Sequence, residues 1–289
     1  MTRAEDRELL KAAYQAWDAE DWAVAGESLE RLARRLPDHR RAGVWWYDAA
    51  LAHKFLRNWA KAYELGREAA ARAKRGTEDP AFWNLGIAAT IMEDWATARD
   101  AWQGYGLTIP AGDGEIVADF GPTPIRLTTG QGGGEVVWAQ RLCPTRARVL
   151  NVPTPESGRR YGEIVVHDGA PNGEREVDGR TYPVFDELLL FRASELPTTI
   201  VEVAADTPED VRALAVLFDE QGYAAEPASG VRVLCACCSE GNVTQDRDHQ
   251  IAGGQQVYLA APADRISALM DGWCAAAPER RSWAGPVRG

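Results

Sequence analysis

Lysine is nearly missing from this chain: Lys11, Lys54, Lys61 and Lys74 are the only four, and arginine carries the remaining basic charge. The formal net charge is −11, with no stripe of clustered Lys or Arg to neutralise phosphates, which excludes nucleic acid as a partner. The same deficit excludes an anionic membrane surface. No stretch approaches the ~20 consecutive apolar residues that cross a bilayer. The opening MTRAEDRELLKAAY mixes acids with bases and has no apolar centre, so it does not read as a secretory signal. A cytoplasmic bacterial protein is expected. Cysteine is also sparse, with Cys143, Cys235, Cys237, Cys238 and Cys274 making an odd set of five. Without an export signal these read as reduced thiols rather than a disulfide framework.

What is present suggests two domains. A chain of 289 residues is long for one domain. Residues 1–110 hold 16 Lys+Arg against 17 Asp+Glu, whereas residues 111–289 hold 16 against 26. The acidity therefore belongs to the C-terminal part, where it suits a basic protein partner.

The N-terminal part repeats itself. EDWAVA (20–25), RNWAKA (57–62) and EDWATA (93–98) place Trp22, Trp59 and Trp95 at spacings of 37 and 36. Around the third copy lie Phe82, Leu85-Gly86, Ala89, Ala98, Trp102, Tyr105 and Pro110. The first has Leu9, Ala12-Ala13, Ala25, Leu29, Leu32 and Pro37, and the second Trp46, Ala49-Ala50, Ala62 and Ala69. This pattern resembles the tetratricopeptide repeat. Small residues let the two helices of a unit approach closely, and large ones fill the space between units. No single pair buries its own apolar stripe, so stacking completes the core.

The resemblance implies three helix pairs over residues 1–110. It also implies that the first helices line a concave groove receiving an extended peptide. Carried over, the groove positions are Lys11, Tyr14 and Trp17, then Tyr47, Leu51 and Lys54, then Trp83, Asn84 and Ile87. Aromatics with two lysines suit a peptide bearing an acidic or carboxylate group.

Residues 111–289 have a different texture. Gly- and Pro-rich turns separate short β-rich runs: EIVADF (115–120), PIRLTT (124–129), EVVWAQRL (135–142), ARVLNV (147–152) and GEIVVH (162–167). EREV-DG-RTYPVF carries a hairpin signal, with Asp178-Gly179 at its turn. A compact, mainly antiparallel sheet or small barrel is expected to ~194. Beyond a division near 195, TTIVEVAA (198–205) reads as a strand and PEDVRALAVLFDEQGY as a helix capped by Thr207. GVRVLCACC and QQVYLAAP read as strands and ADRISALMDGWCAAA as a helix. The order β-α-β-β-α is most of a ferredoxin-like unit. The fold class is thus multi-domain, α followed by α+β.

Several residues invite a chemical reading. Cys235 and Cys238 have C-x-x-C spacing, with His249 downstream. A tetrahedral zinc site needs four ligands, and the second pair is missing. Free cysteines ending a strand explain the same letters. TTGQGGGE lacks the Lys-Ser/Thr of a phosphate loop and leads into a strand, so it reads as a hairpin loop. Ser157 has no G-x-S-x-G elbow around it. His167-Asp168 sits where a strand is expected to enter a DGAPNG turn, and Arg146, Arg148, Arg159 and Arg160 are near enough in sequence for an anion patch.

The expectation is a non-enzymatic adaptor with a protein or peptide partner. A specific form is an immunity-type protein neutralising a basic toxin. The alternative is a zinc-dependent sensor or enzyme centred on the Cys235–His249 segment.

Overall fold

A computed structural model describes residues 3–128, 134–177, 179–228, 233–234 and 255–286. The chain divides into two compact units, Met1–Ala118 and Asp119–Gly289.

The first unit is helical: α1 (Arg3–Asp18), α2 (Trp22–Arg35), α3 (Ala42–Phe55), α4 (Trp59–Ala70), α5 (Pro80–Ile91) and α6 (Trp95–Tyr105). Each helix packs on the next, and α3 also meets α5. The turn inside each pair is built three times in the same way. Glu20, Arg57 and Glu93 follow the first helix with φ of 56°, 55° and 56°. The amide after each reaches back across the last helical turn, Asp21 to Ala16, Asn58 to His53 and Asp94 to Ala89. That is the bond pattern by which a left-handed residue closes a helix. The next side chain, Asp21, Asn58 or Asp94, then caps the second helix by accepting from the amide of Val24, Lys61 or Thr97. The Trp that follows opens that helix.

The core runs through the pairs rather than staying within each. Ala13, Leu29, Leu32, Trp45, Trp46, Ala49, Leu65 and Ala69 form one buried cluster. In the third pair, small residues face large ones reciprocally. A Cβ on Gly86 of α5 would lie 2.5 Å from the Trp102 ring of α6, and one on Gly104 of α6 would lie 2.5 Å from the Phe82 ring of α5. After α6 the chain is irregular to residue 121, and Arg99 Nε donates to the carbonyl of Pro110. The strand expected at 115–120 does not form. Its end is held where the Phe120 amide donates to Arg141 O, the Arg141 amide to Gly121 O and Gln140 Nε2 to Asp119 Oδ1. An extended run becomes a strand only with a partner along its length.

The second unit opens with β1 (Pro122–Thr128), β2 (Gly134–Arg141), β3 (Arg146–Val149), β4 (Ile164–Val177) and β5 (Arg180–Arg192). Each of these pairs antiparallel with the next, and β1 also pairs parallel with β5 through Ile125↔Phe185. Four reversals leave the first and fifth strands pointing the same way, so a five-stranded meander closes on itself only by a parallel pairing. Alternate residues Ile125, Leu127, Val137, Ala139, Ala147, Val149 and Val165 fill the interior. The DGAPNG segment is not a turn: β4 runs through it with several irregularities in register, and the reversal comes at Gly179, φ 72°.

The chain then forms β6 (Thr198–Ala205), α7 (Pro208–Asp219), β7 (Ala224–Pro227), β8 (Val233–Leu234), β9 (Gln255–Ala260), α8 (Ala263–Ala275) and β10 (Arg281–Ala284). An antiparallel sheet takes the order β10-β6-β9-β7. Leaving β8 aside, this is a βαββαβ chain with strand order 4-1-3-2. Val201, Val203, Val257 and Leu259 pack against Leu214 and Phe218 of α7 and Ile266, Met270 and Trp273 of α8. Of the strand expected at GVRVLCACC, Val233–Leu234 is a strand and the other residues lie outside the described ones; what differs is its place in the sheets. Ala224–Pro227 supplies that position, and Val233–Leu234 pairs instead with β2 at Gly134 and Glu135.

Candidate functional site

The first helices α1, α3 and α5 carry all nine expected groove residues, and two hydrogen bonds tie these helices together. Tyr14 Oη donates to Asp48 Oδ2 at 2.8 Å, from α1 to α3. Lys54 Nζ donates to Asn84 Oδ1 at 3.2 Å, from α3 to α5. Burial, reinforced by the adjacent Asp48 carboxylate, pushes the Tyr14 phenol up to about 12. Burial also raises the Asp48 carboxyl, against the opposing pull of the Tyr14 hydroxyl and the Arg41 charge. Asp48 was not singled out from sequence, because nothing in the repeat pattern marks it.

The nine residues divide sharply. Lys11 is exposed, and Tyr14, Tyr47 and Leu51 are half-buried. Trp17 joins Trp22 and Phe55 in a three-ring cluster, with centroids 5.1 Å and 6.2 Å away. Trp83 meets Trp102 and Tyr105 of α6 edge-on, at 5.2 and 4.9 Å. Ile87 has no exposed surface, so it presents nothing to a partner. Lys54 is only 9% exposed and bonded to Asn84, so its ammonium holds two helices together instead of facing solvent. A two-lysine carboxylate site is therefore not assembled.

Two cavities in this unit lie around the turn between α2 and α3. One of about 490 Å³ is bordered by His39, Arg40, Gly43, Tyr47, Arg72 and Pro80. Another of about 530 Å³ is bordered by Asp6, Leu10, Leu36, His39, Arg41 and Trp45. Of the nine residues only Tyr47 borders either.

In the second unit, His167 is fully buried. Its Nδ1 bonds to the Asp168 carbonyl at 2.7 Å, not to the carboxylate, so the two do not form an acid–base pair. Burial pulls the imidazole down to about 4, holding it neutral. Arg146 is fully buried with its guanidinium over the Phe191 ring at 4.9 Å, and Arg159 pairs with Glu187. The four arginines thus do not share one anion patch. Ser157 donates to the Thr154 carbonyl within a single 3-10 turn. Two carboxylates missed in the sequence, buried Glu135 and half-buried Glu226, organise the loop before that turn. Glu226 of β7 accepts from Asn151 Nδ2 and the Val152 amide, and Glu135 of β2 accepts from the amide and hydroxyl of Thr154. Burial raises both carboxyls.

Cys235, Cys238 and His249 lie outside the described residues. Among the described residues, Cys143 and Cys274 are free thiols, and no group of three or more His, Cys, Asp or Glu is placed to hold a metal ion. No helix among them is long and apolar enough to cross a membrane. In comparisons with known proteins, no family model, no curated protein and no solved structure matches the chain.

Proposed function

We propose that the helical unit is a tetratricopeptide-type array and that the protein is a non-enzymatic cytoplasmic adaptor for a protein or peptide partner. The observation that carries this reading is the turn repeated three times, with a left-handed residue, an Asp or Asn cap and a Trp in the same order. An unrelated bundle of six helices has no reason to repeat one turn at intervals of 37 and 36 residues. The 4-1-3-2 sheet with its two helices is read, on the same footing, as a ferredoxin-like unit.

The partner-binding surface is the part of the first-helix face that carries Lys11, Tyr14, Tyr47 and Leu51, leaving out Trp17 and Trp83, whose rings are engaged by other aromatics, and Asn84, which is bonded to Lys54. A segment lying across α1 and α3 meets Tyr47 and Leu51 as its apolar anchors, with Lys11 at its edge. The acidity of residues 111–289 fits a basic partner, of which a toxin held by an immunity-type protein is one form.

The test is photocrosslinking in the native cell, with a photoreactive residue at Leu51 and, as control, at Glu27 on α2. A discrete adduct from position 51, absent from position 27, identifies the partner. Tyr47→Ala with Leu51→Ala should then weaken binding of that partner by about 2 kcal/mol or more. Unchanged affinity in a folded double variant rejects the surface.

A further inference from the structure

The turns that join the helices within each pair carry a second surface. Trp17 ends α1, Trp22 opens α2 and Phe55 ends α3, so their rings meet where the chain reverses. Trp22 and Phe55 lie 4.7 Å apart, and Phe55 is 45% exposed. Leu56 and Met92 stand at the C-caps of α3 and α5, 44% and 48% exposed. The three turns are equivalent and α1, α3 and α5 succeed one another in the stack. These side chains therefore form a row along one edge. Scattered exposed apolar residues need no explanation, but an aromatic cluster continued by aliphatic side chains marks a contact surface.

The rim of that row is acidic. Asp18, Glu20, Asp21 and Glu93 are exposed at the turns, with Arg57 as the cation among these described turn residues. Glu20 and Glu93 adopt left-handed backbone at positions where glycine closes a helix with less strain. Their charge stands at the rim despite that local cost. An acidic rim around an apolar row repels anionic lipid and fits a segment of opposite charge.

We propose that this edge docks an amphipathic segment whose apolar stripe is bordered by Lys or Arg. Its apolar stripe covers Trp22, Phe55, Leu56 and Met92, and its cations face Glu20 and Glu93. This surface stands independently of the first-helix face, which Tyr47 and Leu51 report.

The test uses the full chain and two labelled synthetic amphipathic helices, one of Leu and Lys and one of Leu and Glu, followed by fluorescence anisotropy. The Leu/Lys helix should bind, and added salt should weaken it. Phe55→Asp with Leu56→Asp, both at exposed positions, should lower its affinity about tenfold or more. Glu20→Gln with Glu93→Gln should reduce the salt dependence while leaving the melting temperature intact. Val216→Asp, at an exposed apolar position of α7, should change nothing. Equal binding of the two helices, or no binding of the Leu/Lys helix, overturns the proposal. So does a Leu/Lys affinity that the folded Phe55/Leu56 variant leaves unaltered. Concentration-dependent self-association of the chain, abolished by that variant, would make the occupant a second copy and equally overturn it.

Discussion

Gly86 of α5 lies against the ring of Trp102 of α6 so closely that a Cβ would sit 2.5 Å from Cη2. The indole is rigid, and Trp102 has no exposed surface into which it can swing. Gly86→Ala should therefore destabilise the helical unit by about 1–3 kcal/mol, despite the better helix propensity of alanine. Gly272 of α8 has nothing within 4 Å of the same added atom, so Gly272→Ala should be neutral or stabilise by about 0.5–1 kcal/mol. Urea denaturation of both variants decides it; equal effects would show that the Gly86 contact does not set the helix spacing.

Arg57 holds φ at 55° between α3 and α4, where any side chain crowds the following carbonyl. Arg57→Gly should raise stability by about 0.5–1 kcal/mol. A lower melting temperature would mean that the arginine side chain contributes more than its backbone costs.

His167 should make stability depend on pH in a definite direction. Its folded value is about 4 against 6.5 for the free side chain. Above 6.5 the imidazole is neutral in both states. As pH falls from 6.5 to about 4, the unfolded chain takes up the proton first and the fold loses stability. Below about 4 no further loss comes from this group. The full loss is on the order of 3 kcal/mol. The raised carboxyls of Glu135 and Glu226 act in the opposite sense, losing their contribution as pH rises through their folded values. Subtracting the profile of His167→Gln from that of the parent isolates the histidine. Parallel profiles between pH 4 and 6.5 would contradict its burial as a neutral ring.

Asp210 joins the first turn of α7 to α8 and β10. Its Oδ1 accepts from Arg281 Nε at 2.8 Å, its Oδ2 from the Thr207 hydroxyl, and its carbonyl from Trp273 Nε1 at 2.9 Å. Asp210→Ala removes the carboxylate and leaves the Arg281 guanidinium facing a gap. Its melting temperature should fall well below that of Glu209→Ala, one residue away but exposed. Equal melting temperatures would show that β10 is held without this contact.

Local signals decided what the sequence alone could decide. The helices of the first unit, the Thr207 cap, β6 at Thr198–Ala205 and α8 are fixed by periodicity, caps and breakers acting within a few residues. What needed the tertiary structure was every matter of partnership. EIVADF has strand letters but forms no strand pairing among the described residues, so it stays irregular. GVRVLCACC reads as a strand of the last sheet, yet its described residues pair with β2. DGAPNG reads as a turn, but pairing with β5 carries β4 through it. The closure of β1 on β5 joins residues some sixty positions apart. The repeat resemblance placed the nine candidate groove residues on α1, α3 and α5, where they lie, but could not say which of them other side chains would engage. That depended on Asn84 reaching Lys54 and on Trp22 and Phe55 drawing Trp17 to the turn edge. A residue's helix is set by its neighbours in sequence; its exposure is set by whichever distant side chain packs against it.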